Sequence, residues 1–359
     1  IQHTVGDLSH SDDHAGVSCR DNGDCTGAHD QHQENDHAQN DTGSHFWLRE
    51  VQKLSNVELL EYTTLVDILE KDNHCYGAVI RRPDGSLDTV TATYTVLASG
   101  GVGGLYRHST NFRHLTGDAL AIAGKHNIEL QNPDYVQIHP TTFYTKHPED
   151  RSFLISESVR GEGARLYDKN MNRFVNELLP RDLLSQKIHE QMAKDDTDFV
   201  WEDLRTIPAE TLRHHFPNIV EHCREMGYDV FKECIPVVPA QHYFMGGVKV
   251  DYQSRSSMEN LYVVGEAACN GVHGKNRLAS NSLLESLVFA RRAAQDMAEH
   301  DFKNASPQNA IEVADYLASH VDFTPYQDIQ TLAKTYHHLA TQAITLGQNP
   351  EGRKEFLYV

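Results

Sequence analysis

HGKNRLASNSLLES (His273–Ser286) decides how this chain is read. It sets one cation, Arg277, among Gly, Ala, Ser and Asn, immediately before an apolar run with helical spacing. Upstream, LYVVGEAAC (Leu261–Cys269) has the β-branched, aromatic character of a buried strand. The unit is therefore strand, glycine-containing loop, helix, which is the local grammar of an α/β protein. A lone arginine in a tract of small residues at a helix start needs a reason, since the helix dipole disfavours a cation there.

Reading outward, IPVVPAQHYFMGGVKVD (Ile235–Asp251) passes from a Pro-flanked apolar segment through His242 into Gly246-Gly247 and a further strand. A lone histidine beside a glycine pair is more often structural than catalytic. Isolated polar groups in apolar settings recur, however, at His139 before Pro140, at Arg181 beside Pro180, and at Arg277. LLPRDLLSQKIHEQMAKD places Leu184, Ile188 and Met192 at helical spacing, so Arg181 falls at a helix start, where the dipole disfavours a cation. Two arginines and two histidines that can stay neutral suit a small dicarboxylate, each carboxylate accepting charge-assisted hydrogen bonds.

Composition narrows the alternatives. With 359 residues, 39% of them hydrophobic, the chain can bury a core in two or three domains. A formal charge of -19 argues against a nucleic-acid partner. No window approaches the roughly 18 apolar residues of a membrane span, and no signal peptide opens the chain, so a cytoplasmic protein is expected. Cys19, Cys25, Cys75, Cys223, Cys234 and Cys269 show no CxxC pairing, so reduced thiols are expected.

Residues 1–46 hold seven histidines and eight aspartates but one arginine, with almost no apolar periodicity, and are expected to be disordered. The alternative there is a metal site at HSDDH (His10–His14), although no zinc-finger or EF-hand spacing supports one and no metal is expected. From Val51 onward, ELLEYTTLVDILEKD, CYGAVIRR, the turn PDGS (Pro83–Ser86), LDTVTATY and TVLASGG read as a meander. SGGVGGLY (Ser99–Tyr106) could offer N–H groups to a phosphate, but the spacing stops at Gly101-x-Gly103, with Tyr106 where a third glycine would fall. A tight turn explains it equally well, and no complete GxGxxG occurs anywhere in the sequence. GDALAIAGKHNIEL reads as a short helix with Asp118 at its start, while YVQIHPTTFY and SFLISESVRGEGARLYD (Ser152–Asp168) read as strand-like.

TVLASGG, STNFRHLTGDALAIA, YVQIHPTTFY, FLISESVRGEGA, NRFVNELLPRDLL, VPAQHYFMGGVKVD and LYVVGEAACNGVHGKNRLASNSLLESLVF follow one another in family order over roughly residues 50–300. In these motifs the chain resembles the L-aspartate oxidases of the succinate dehydrogenase and fumarate reductase flavoprotein superfamily. HYFMGG fits the whole superfamily, whereas GVHGKNRLASNSLLES resembles the oxidase branch. The resemblance implies an α/β fold: a partial FAD-binding Rossmann-like domain (47–134, returning at 239–300), an α+β capping domain (135–238) that closes over it, and a helical C-terminal segment (301–359).

The resemblance also implies roles. Arg277 would grip a substrate carboxylate, with His139, His242 and Ser156 holding the dicarboxylate and Glu157 and Arg160 shaping the same wall. Arg181 matches the proton-transfer arginine; because arginine titrates far above neutrality, that role needs a depressed value or a relay. Ser99, Gly100, Gly101, Asp118 and Glu266 match cofactor positions, as do Ser282 and Leu283 in the helix opened by Ser280–Leu283. The implied reaction takes L-aspartate to iminoaspartate on FAD, with oxygen or fumarate as acceptor, in quinolinate and NAD synthesis, and quinolinate synthase is an expected partner. Two other readings stay open: a fumarate reductase-like flavoprotein, and a non-catalytic remnant of such an enzyme. The family's glycine turn for the FAD pyrophosphate has no counterpart in the sequence.

Overall fold

The computed structural model describes residues 43–146, 151–303 and 308–346. The expectation for 1–46 therefore lies almost wholly outside the described residues, HSDDH included. Helix α1 (Gly43–Gln52) covers the last four residues of that segment.

The meander forms as the turn chemistry requires. Strands β1 (Thr64–Lys71) and β2 (His74–Arg81) are joined through Asp72 and Asn73, both with left-handed backbone, which Asp and Asn tolerate best among non-glycine residues. β2 continues antiparallel into β3 (Leu87–Thr91) through the PDGS turn, where Asp84 accepts the Ser86 N–H at 2.9 Å. Strand β4 (Thr95–Leu97) then leads into the glycine loop. Helix α2 (Asp118–Lys125) follows Gly117, whose φ of 75° stops the helix extending upstream, and strand β5 (Leu130–Gln131) follows it.

Strand β6 (Val136–Phe143) opens the segment expected to form the cap. The stretch 152–168, read as strand-like, is instead mostly non-extended. A short helix α3 (Glu157–Gly161) is started by Ser156, whose hydroxyl accepts the Ser158 N–H at 3.3 Å, and strand β7 is confined to Arg165–Tyr167. Local capping overrides the strand pattern here. Helix α4 (Arg181–Asp195), strand β8 (Val200–Asp203), helices α5 (Ala209–His215) and α6 (Pro217–Glu225), and strand β9 (Ile235–Phe244) follow, β9 running past the expected boundary at 238. The antiparallel sheet of this segment runs β6-β9-β8-β7 and packs Ile155, Val159, Leu166, Leu184, Ile188, Leu212, Cys223 and Ile235 into one core.

Strand β10 (Gly247–Lys249) returns to the other domain and lies between β5 and β12 (Ala268–Cys269), while β11 (Leu261–Val263) pairs in parallel with β4. Helix α7 (Asn281–Lys303) follows the loop that carries Arg277. It starts one residue later than expected, because Ser280 has a left-handed φ of 64°. Helices α8 (Gln308–Ser319) and α9 (Ile329–Leu346) close the described chain. No described helix is long and apolar enough to cross a membrane. The described cysteines, Cys75, Cys223, Cys234 and Cys269, are buried free thiols.

Asp67 ties the C-terminal helices to the meander. Its buried carboxylate accepts from His126 at 2.7 Å, from the Tyr326 hydroxyl at 2.5 Å, and from Lys125. Burial pushes its pKa up, but these partners outweigh burial and hold it below the usual carboxylate value. Its contribution is thus present above that ordinary value and is lost as pH falls through the lower folded value. Asp67→Ala, which removes the acceptor of the buried Tyr326 hydroxyl and of the half-buried His126 ring, is expected to cost about 1–3 kcal/mol in urea unfolding. A loss under about 1 kcal/mol would show that the cluster is not a tie.

Candidate active site at the junction of cap and returning domain

β6 and β9 carry the site because their pairing is irregular. Gln137 pairs with Tyr243 and Ile138 with Gln241, so His242 is an extra residue, bulged out of the ladder. A bulge re-aims its side chain. The His242 ring lies with its centroid 5.4 Å from that of His139, nearly edge-on, and its Nδ1 meets the Thr110 hydroxyl at 2.8 Å. His139 is fully buried, its Nδ1 held between the Thr141 carbonyl at 2.9 Å and the Thr141 N–H at 3.2 Å. Burial, followed by the charges of His242, Arg160 and Arg181, keeps His139 well below the ordinary histidine pKa, so it is neutral at physiological pH.

Three arginines converge on the same place from separate segments. Arg181, at the start of α4, bonds one oxygen of Glu157 through two nitrogens, at 2.8 and 2.5 Å. That acidic partner, 24 residues away in sequence, offsets the unfavourable position at the helix start. Arg181 also reaches Gln137 at 3.4 Å, and Gln137 donates to the Arg277 carbonyl at 2.8 Å and to Asn276 at 3.0 Å. Gln137 thereby links the cap helix to the arginine loop. Arg277 is buried, its guanidinium 4.5 Å above the Tyr243 ring and 3.3 Å from the Ser282 hydroxyl. Its Nε has no hydrogen-bond partner. Burial lowers its pKa first, with Arg181 adding repulsion, and Arg160 is lowered by burial and Arg181 in the same way. Arg181 is paired with Glu157, whereas Arg277 is buried with an unpartnered Nε, an arrangement that suits an anionic ligand.

On the other flank, Glu266 accepts the Phe244 N–H at 2.8 Å, and burial pushes its carboxyl up to about 7. A side chain at Gly101 would meet Glu266 Oε1 at 2.3 Å, so that glycine makes room for the carboxylate. Asp118 is buried and accepts from Thr116 at 2.8 Å. Ser99 Oγ is buried without a partner, and Gly100 takes a left-handed φ of 75°. Ser282 is buried at the start of α7, whereas Leu283 is exposed, together with Leu278, Leu284 and Leu287. Ser156 serves its own helix as cap.

The description "FAD binding domain" fits residues 4–283 of this sequence as a family match. The chain belongs to that family. This family member is 50% identical to the L-aspartate oxidase of Clostridium perfringens over 259 residues, covering 71% of this chain and 59% of the relative. It is 47% identical to the L-aspartate oxidase of Clostridium acetobutylicum over 248 residues, covering 69% and 57%. It thus spans somewhat over half the length of these relatives. Its fold is similar to that of FrdA of E. coli quinol fumarate reductase, with a TM-score of 0.67, 26% identity, and coverage of 85% of this chain and 64% of that one.

FAD is the cofactor these relationships indicate. The described residues fit its redox half: a partnerless guanidinium nitrogen, a half-buried Glu266 and a helix start lie together. They do not fit its pyrophosphate half. In SGGVGG, a side chain at Gly103 would strike Gln241 and Ser109, and one at Gly104 would lie 2.2 Å from the Arg113 carbonyl. Protein atoms thus occupy the side-chain face of the backbone at Gly103 and Gly104, which is why glycine stands there, and a tight turn accounts for both residues.

The sequence reading missed Gln137, Thr110 and Tyr243. Gln137 stands two residues before His139, and that spacing on a strand was the available signal. Thr110 had none, since it meets His242 from 132 residues away.

Proposed function

We propose that this chain carries the substrate wall and the flavin-ring side of an enzyme that oxidises L-aspartate to iminoaspartate, with oxygen or fumarate as final acceptor. The observation that carries this reading is the convergence of Arg160, Arg181, Arg277, His139 and His242 in a chain of net charge -19. Against such a field, cations are gathered for an anion of matching charge. The likeness to L-aspartate oxidases supplies the substrate.

In this reading Arg277 takes one carboxylate through its planar fork, backed by Tyr243 and Ser282. His242, steadied by Thr110, and neutral His139 serve the other end, with Ser156 on the same wall. Arg181, gripped by Glu157, handles the substrate proton, and Arg160 supports that wall from the cap core. Glu266, Asp118, Ser99, Gly100, Gly101, Ser282 and Leu283 stand on the cofactor side, and bound FAD supplies a two-electron acceptor there. Closure of the cap over this junction excludes water, which strengthens each ionic contact. The product imine belongs to quinolinate and NAD synthesis, so hand-over to a quinolinate synthase in the cytoplasm completes the reading.

The test is anaerobic bleaching of the flavin spectrum in the chain supplied with excess FAD. Bleaching by L-aspartate is expected. Bleaching by a reductant followed by reoxidation with fumarate, and no response to aspartate, would favour the fumarate reductase-like reading that the fold similarity to FrdA supports. Arg277→Lys, which loses the fork, is expected to weaken dicarboxylate binding by about 1–3 kcal/mol in calorimetry. Unchanged affinity would remove Arg277 from the substrate site.

A further inference from the structure

β8 buries a carboxyl where its strand pattern calls for an apolar residue. Glu202 pairs with Leu166 on one side and Ile235 on the other, both fully buried, and is itself 0% exposed. Neither of its oxygens has a hydrogen-bond partner. Nearby, the guanidinium of Arg160 is also buried, with Nε unpartnered and Nη1 donating to the Thr141 hydroxyl. Among the charges bearing on Arg160, that of Glu202 outranks Glu157, Arg181 and Glu177.

We propose that Glu202 is a positioning residue for the substrate wall: the buried counter-charge of Arg160, which takes up a proton when a dicarboxylate occupies the site. This rests on the dicarboxylate reading given above. The connection is structural. Arg160 bonds Thr141, the Thr141 backbone holds His139 Nδ1, and the His139 ring abuts His242. With the site empty, Arg160 and ionised Glu202 compensate each other. A bound dianion draws on the Arg160 charge and repels Glu202, so a proton from solvent adds to a Glu202 oxygen and the core stays near neutrality.

The surroundings make this exchange accessible near neutral pH. Burial raises the Glu202 carboxyl to about 7, Arg160 opposing and Glu177 reinforcing the rise. The other groups around it are committed. Glu177 is held by Arg173 and the Leu166 N–H, Asp203 on the same strand by Arg205, and the Cys223 thiol on α6 is pushed up to about 12, by burial first and then by Glu202.

The test is calorimetric titration of the full chain, supplied with FAD, with fumarate at about pH 6, 7 and 8 in buffers of different ionisation enthalpy. Above neutrality the unsubstituted chain is expected to take up as much as about one proton per fumarate, its affinity falling by up to about tenfold per pH unit. Glu202→Gln is expected to keep fumarate binding and lose that uptake. Uptake that persists in E202Q would assign the proton to His139 or His242 and overturn the proposal, as would binding by the unsubstituted chain without uptake. If no dicarboxylate binds at any pH, the substrate reading itself fails and takes this inference with it. Should E202Q not fold, infrared difference spectra with carbon-13-labelled glutamate decide. A new glutamic acid carbonyl band on adding fumarate supports the proposal, and its absence overturns it.

Discussion

Purified as a 359-residue polypeptide, this chain is expected to lose FAD on gel filtration and to rebind it weakly. A flavin dinucleotide carries two phosphates, usually held by a glycine turn whose backbone N–H groups approach closely at a helix start. The sequence has no complete GxGxxG, and its nearest substitute, Gly101-x-Gly103, has Tyr106 where a third glycine would fall. Two or three missing charge-assisted bonds, at about 1.5–3 kcal/mol each, correspond to several orders of magnitude in affinity. The residues proposed for the cofactor, Glu266 and Ser282 among them, would serve the flavin ring, so FMN is expected to bind the chain nearly as well as FAD. Equilibrium titration of flavin fluorescence checks both points. Stoichiometric FAD surviving gel filtration, or a strong preference for FAD over FMN, would show that other residues make the cradle.

Gly247→Ala is expected to abolish the native fold of the returning domain. Gly247 has a φ of 143°, and a side chain there would sit 2.4 Å from the Ala267 carbonyl oxygen, a backbone atom fixed by the pairing of β10 with β12. Its neighbour is equally confined, since a side chain at Gly246 would meet the Asn132 carbonyl at 1.9 Å. Backbone cannot yield as a flexible side chain does, so a loss above about 4 kcal/mol is expected, enough to unfold many domains. Gly124→Ala is the control. That glycine lies inside α2 with nothing within 4 Å, and alanine there is expected to stabilise by about 0.5–1 kcal/mol. Unfolding free energies from urea titration that place the two variants within about 1 kcal/mol of each other would refute the clash argument.

The glycine pair also shows how far the sequence could be read. HYFMGG stood out as a histidine beside a glycine pair, but which atoms crowd the glycines, those of Asn132 and Ala267, depends on β5 and β12 meeting β10. Arg181 stood out as a cation at a helix start, and the explanation, Glu157, emerged only when α3 folded beside α4. The stretch 152–168 misled because its alternation resembles a strand, while a serine cap and two downstream glycines break it into a helical turn and a short strand.

Local order along the chain determined the meander with its Asp-Asn and Pro-Asp-Gly turns, the helices α2, α4 and α9, and the strands on either side of the cap. These follow from periodicity and turn chemistry, which act over a few residues. Motif order over residues 50–300 determined the family. Tertiary structure alone decided that His242 is bulged toward His139, that Gln137 joins Arg181 to the Arg277 loop, and that Glu202 is buried between Leu166 and Ile235. Each depends on sheet register and on contacts between segments far apart in sequence. No local pattern encodes them, because a one-residue shift in pairing would turn every one of those side chains to the opposite face.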